Sequence, residues 1–169
     1  MGFFHLSTFV AAGLLLFSQL ASAQQKFYLR SQATDGGPSR FSNLYPSSYH
    51  TGAGMSILAL TPDRKGSIKS YLKDTRMMAD LGTSFPWGWM HGSEGGYGSW
   101  APMNLVAGGG DEGFEIDKYT GGGVRWEGNE WVACDWAYGV TQLFYYAHGH
   151  YTPLPCSCAK IKLVPEYNL

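Results

Sequence analysis

The sequence predicts an all-β domain, a compact barrel or sandwich of about 10–12 short strands with at most one short helix. Two observations carry that reading. Short runs rich in Val, Ile, Tyr, Phe and Trp recur along the chain, and Gly, Pro, Ser or Asn bounds almost every one. With 23 glycines and 8 prolines among 169 residues, few stretches could sustain a helical period. A rough threefold spacing of the runs leaves a β-trefoil open as the alternative, although no repeated residue signature links the thirds.

Taken in order, the chain begins with an export signal. An apolar run from Val10 to Phe17 is too short to cross a bilayer, which takes about 20 residues. It has the length of a signal-peptide core, and Ala21-Ser22-Ala23 supplies the small-x-small pattern that signal peptidase accepts. Residues 1–23 are therefore read as a signal peptide, leaving Gln24 as the new N-terminus and residues 24–169 as a single secreted domain. The C-terminus lacks the apolar tail of a lipid anchor, and no membrane anchor is predicted.

The predicted strands follow: Lys26–Arg30, Asn43–Tyr49, Met55–Leu60, Met78–Leu81, Gly88–Met90, Met103–Ala107, Gly113–Ile116, Val124–Trp126, Trp131–Asp135, Gln142–Ala147 and Lys160–Val164. The last alternates cleanly, with Ile161 and Leu163 on one face and Lys160 and Lys162 on the other. One short helix is expected from Ser67 to Lys73, where Ile68, Tyr71 and Leu72 fall at i, i+3 and i+4. The Gly-rich stretches Gly92–Gly98, Gly108–Gly113 and Gly121–Gly123 read as loops. His50-Thr51-Gly52-Ala53-Gly54 reads as a tight turn.

The formal net charge is −1, and Arg64-Lys65 is the only adjacent basic pair. Nucleic-acid binding leaves a basic face, so that partner is not expected. The three cysteines, Cys134, Cys156 and Cys158, all lie near the C-terminus. In an oxidising compartment Cys134 is expected to pair with Cys156 or Cys158, tying two strands together. The ring that would join Cys156 to Cys158 is strained. One thiol is left over, free or available for a disulfide-linked dimer.

Gly82-Thr83-Ser84-Phe85-Pro86 starts a nucleophile elbow and fails at its last position. His148 and His150 would share a face of a strand and form a weak metal candidate, needing a third ligand such as His50, His91, Asp111 or Glu112. Their sequence context, with Gly149 between them and Pro153 beyond, favours an exposed turn. The carboxylates Asp111, Glu112, Glu115 and Asp117 sit in or beside a Gly-rich loop, where solvated charge is the default. The aromatics are more informative. Trp87, Trp89, Tyr97 and Trp100 fall in FPWGWMHGSEGGYGSW, whose glycines mark it partly as loop. Rings displayed on loops bind sugar faces and protein partners, and these four are the candidate ligand-binding residues. Packing in the core is the competing role. No catalytic residue and no cofactor motif is identified.

The segments LYPSSYHTGAG, DLGTSFPWGW, WAPMNLVAG, VRWEGNEWVACDWAYGVTQLFYY and CSCAKIKLVP resemble, in the same order, a family of small secreted fungal proteins. That family is described as a domain of unknown function, some members being labelled IgE-binding protein. The W-V-A-C-D…Q-L-F…C region is also similar to secreted fungal cell-wall proteins of the phialide type. The resemblance implies an extracellular, fungal setting, no established enzymatic activity and no catalytic residues to transfer. It implies one cysteine near the C-terminus where this chain has Cys156 and Cys158. The expectation is a non-enzymatic secreted protein that binds cell-wall polysaccharide or an extracellular partner. The alternatives are an effector or toxin acting on another organism's cells, and a metal- or carboxylate-dependent hydrolase.

Overall fold

The computed structural model describes residues 24–92, 99–117, 119, 121–147, 149 and 152–167. Twelve strands form: β1 (Tyr28–Ala33), β2 (Tyr45–Gly52), β3 (Met55–Thr61), β4 (Lys69–Lys73), β5 (Arg76–Asp80), β6 (Trp87–His91), β7 (Trp100–Ala107), β8 (Phe114–Ile116), β9 (Val124–Trp126), β10 (Glu130–Asp135), β11 (Thr141–Tyr146) and β12 (Cys158–Glu166). Antiparallel pairings run β1–β12–β10–β11–β7–β6–β5–β4. Phe27, just ahead of β1, then exchanges two backbone hydrogen bonds with Ser70 of β4, of 2.9 and 2.8 Å. That bridge makes the sheet a nearly closed barrel.

The pairings also repeat three times along the chain. Each third holds a central hairpin: β2–β3, β6–β7 or β10–β11. The second strands of those hairpins, β3, β7 and β11, pair with one another in a triangle. Within each third the flanking segments approach: Phe27 meets Ser70, the Phe114 N–H bonds the Thr75 carbonyl, and β9 lies against β12. Hairpins β4–β5 and β8–β9 and the β12–β1 pairing join the thirds. This is the strand plan of a β-trefoil, so barrel wall and threefold plan describe one molecule. The repeat lies in hydrogen bonds rather than in a residue signature.

Local chemistry accounts for most elements. In β12, Ala159, Ile161 and Leu163 turn inward while Lys160 and Lys162 turn out, the period-two pattern of a half-buried strand. β10 shows no such alternation because both its faces are covered. Trp131 and Ala133 join the barrel core, whereas Val132 and Cys134 join a second cluster with Trp100, Phe144 and Tyr146.

The helix expected over Ser67–Lys73 is a strand instead. Seven residues are too few for a helix to hold itself, since nucleation is unfavourable. Ile68 and Ser70 are buried at alternate positions, and Leu72 packs against the core. Asp74, at φ +56°, lets the chain turn back so that Lys73 pairs with Arg76. The apolar i, i+4 spacing of Ile68 and Leu72 fits period two as well as it fits a helix.

One ion pair sits beside the barrel seam: Lys26 Nζ donates to Asp80 Oδ2 at 2.6 Å. The hydrogen bond from Lys26 holds the Asp80 carboxyl below its usual 3.8, and the Asp80 hydrogen bond holds the Lys26 ammonium above its usual 10.5. Asp80 therefore adds stability that is present above pH 3.8 and is lost as pH falls through its lower folded value. Asp80→Asn should lower the melting temperature slightly at pH 7, the small effect of losing an exposed pair, and the gap to the wild type should close as pH falls below 3.8.

Candidate functional site: a charged cleft beside the third unit

The turn between β9 and β10 builds one wall of a charged cleft. Glu127 (φ +48°) and Gly128 (φ +74°) both adopt the left-handed region, as the two-residue hairpin turn matched to strand twist demands. The indole of Trp131 donates to the Val124 carbonyl at 2.6 Å and locks the hairpin onto its own base. Arg125, Asn129 and Glu130 then line the cleft on one side. The outward lysines of β12, Lys160 and Lys162, and the turn after β1, with Thr34 and Asp35, line the rest. Asp117, at the end of the β8 segment, contributes a further carboxylate.

The cleft encloses about 350 Å³, within the range of small-ligand sites, and Val124, Trp131 and Ile161 supply its apolar lining. Its charges are arranged in pairs. Lys160 Nζ lies 2.6 Å from Glu130 Oε2, and Arg125 lies 3.1 Å from Asp117. The hydrogen bond to Glu130 holds the Lys160 ammonium above its usual range, and the charges of Glu130 and Asp35 add to the effect. Chemically the cleft can hold a polar chain of mixed charge over a small apolar patch.

A second constellation lies where β6, the β7–β8 loop, β9 and β11 meet. His91 Nδ1 is 2.8 Å from Asp111 Oδ2, and the same oxygen accepts the His91 backbone N–H at 2.7 Å. The imidazole stacks on Trp126 at 5.1 Å and meets Tyr145 edge-on at 6.1 Å. Burial pushes the Tyr145 hydroxyl up, aided by the Asp111 charge. An ionised carboxylate only accepts, so this contact is made through a proton on Nδ1.

The ring-display expectation is corrected at three positions. Trp87, Trp89 and Trp100 are buried, at 7%, 0% and 6% exposure, and none offers a ring face to a ligand. Trp87 and Trp89 stand two apart on β6, so both turn into the core, while Gly88 between them abuts the Gly109–Gly110 backbone. Trp89 meets Phe114 and Trp131 edge-on at 6.1 and 6.2 Å. Trp100 packs on Phe144 and Trp136 in the second cluster. Tyr97, His148 and His150 lie outside the described residues. Among the described residues no group of three His, Cys, Asp or Glu side chains could hold a metal ion. Cys134 is bonded to Cys158, its direct partner across β10 and β12, and Cys156 is exposed with a free thiol.

Sequence reading passed over the cleft. Its lining comes from residues 34–35, 117, 123–125, 128–131 and 160–162, which the β12 pairings help to gather. The available signal was the outward Lys-x-Lys of the last strand. The pairing of His91 with Asp111 likewise has no signature in spacing.

Barrel, triangle and cross-strand disulfide together define a small all-β domain of trefoil plan with a charged cleft in its third unit. The chain belongs to the family described as domain of unknown function (DUF7907), whose model matches residues 24–167. No curated protein matches it, and no solved structure does.

Proposed function

We propose that this is a secreted, non-enzymatic binding protein whose cleft takes a charged, extended segment of an extracellular partner protein. The observation that supports this reading is the ring of Asp35, Asp117, Arg125, Glu130, Lys160 and Lys162 around an apolar floor. Charges of both signs at fixed positions select a partner by electrostatic complementarity and raise its rate of encounter. Trp87, Trp89 and Trp100, whose rings would have offered a neutral wall glycan a platform, are buried. The export signal in the sequence and the resemblance to secreted fungal proteins support the extracellular setting.

The test is selection from a displayed peptide library, with pull-downs on insoluble chitin, β-glucan and cellulose alongside. Saturable, salt-sensitive peptide binding is expected, without retention on the polymers. Lys162 is exposed, so Lys162→Glu alters the rim without touching the core. Asp35 sits at φ +53°, which Asn tolerates, so Asp35→Asn removes charge while keeping the turn. Each variant should weaken binding by about tenfold, the effect of losing one well-placed charge. Retention on a polymer with no peptide selected would discard the reading.

The alternative reading is a hydrolase, for which the His91–Asp111 pair would be the candidate acid–base centre. It predicts turnover on a glycan or ester panel that His91→Gln abolishes.

A further inference from the structure

Gln24 stands exposed at the lip of an open groove lined by Lys26, Tyr71, Asp80, Phe85 and Pro86. Two residues on, the chain is pinned: Lys26 by its bond to Asp80, Phe27 by the paired hydrogen bonds to Ser70 that close the barrel. The export boundary read from Ala21-Ser22-Ala23 falls at the same place, and the family match also begins at residue 24. Cleavage there creates an N-terminal glutamine that is exposed, followed by the exposed Gln25 and Lys26 and then by the seam at Phe27.

We infer that Gln24 of the exported protein is a modification site and is converted to pyroglutamate, a step that rests on the secreted reading above. The α-amino nitrogen of Gln24 attacks the side-chain carboxamide carbon, Cδ. The new N–Cδ bond closes a five-membered lactam, the bond from Cδ to the amide nitrogen breaks, and that nitrogen leaves as ammonia with the proton given up by the amine. No oxidant or reductant takes part. The product has a neutral terminus beside the Lys26–Asp80 pair. It also denies aminopeptidases a free amine three residues ahead of Phe27, whose loss would open the seam.

The full-length chain is expressed with its own leader in a secreting eukaryotic host. Free amines in fresh medium are labelled by reductive methylation, and the N-terminal peptide is then weighed. The expected peptide begins at residue 24, takes no label on its α-nitrogen and is lighter than the Gln24 sequence by one ammonia. Pyroglutamyl aminopeptidase then exposes Gln25 to labelling. Gln24→Ala, secreted in the same way, should take the α-label and lose its terminal residues to an added aminopeptidase faster than the wild type. A labelled Gln24 overturns the cyclisation while leaving export at residue 23 intact. A terminus at any other residue overturns the export boundary and the cyclisation with it.

Discussion

Gly88→Ala is expected to cost about 4 kcal/mol or more, enough to leave the domain largely unfolded at 37 °C. A Cβ at this position would overlap the carbonyl oxygen of Gly109 outright. It would also stand 2.5 Å from the Gly109 carbonyl carbon and 2.7 Å from the Gly110 Cα. All three are backbone atoms, so no side chain can swing aside. The loop cannot retreat cheaply either, because the Asp111 N–H bonds the Trp89 carbonyl at 2.8 Å and the Gly108 N–H bonds the Pro86 carbonyl at 2.8 Å. Urea unfolding followed by tryptophan fluorescence measures the loss. Gly52→Ala is the control: a Cβ there meets nothing within 4 Å, and the change should be near neutral. If Gly88→Ala behaved like Gly52→Ala, the crossing of β6 by the β7–β8 loop would be wrong.

Opening the disulfide is the second large effect. Cys134 and Cys158 are 24 residues apart in sequence, and a cross-link closing a loop of that size stabilises by about 3 kcal/mol, largely through the unfolded chain. Cys134→Ala should therefore lower the urea-extrapolated stability by about that amount. Reducing the wild type should give a slightly smaller loss. Because Cys134 is fully buried against Trp100, Phe144 and Tyr146, the variant also loses some packing. Cys156→Ser, at an exposed thiol, should stay within about 0.5 kcal/mol of the parent. A Cys156→Ser change as costly as Cys134→Ala would mean that Cys156 holds the bridge.

The strands were legible wherever burial on one face imposed a period of two, as in β12, or wherever a dense β-branched or aromatic run met a turn signal, as in β11. β4 was not, because Ser67–Lys73 satisfies a helical and a strand period at once and only its pairing with β5 decides. The trefoil plan could be raised from spacing and no further, since its repeat is carried by backbone pairings among β3, β7 and β11 that leave no shared residues. The tryptophans misled for a physical reason. Their segment was read as partly loop and the rings as displayed, yet Gly88, placed in a strand by the sequence, is small because another backbone crosses it inside the fold. The cleft was illegible because its charged residues are ordinary surface residues in sequence. β12, pairing with β1 on one side and β10 on the other, helps to bring residues 35, 130 and 162 to one mouth.

The claim that a partner segment seats in this cleft, and not on the tryptophan-rich β6–β7 unit, is tested most directly by amide hydrogen exchange with and without a library-selected peptide. Protection is predicted at Asp35, Arg125 and Gly128–Glu130, with β6 and β7 unchanged. Protection confined to Trp87–His91 or Trp100–Ala107, with the β9–β10 hairpin unaffected, would contradict it.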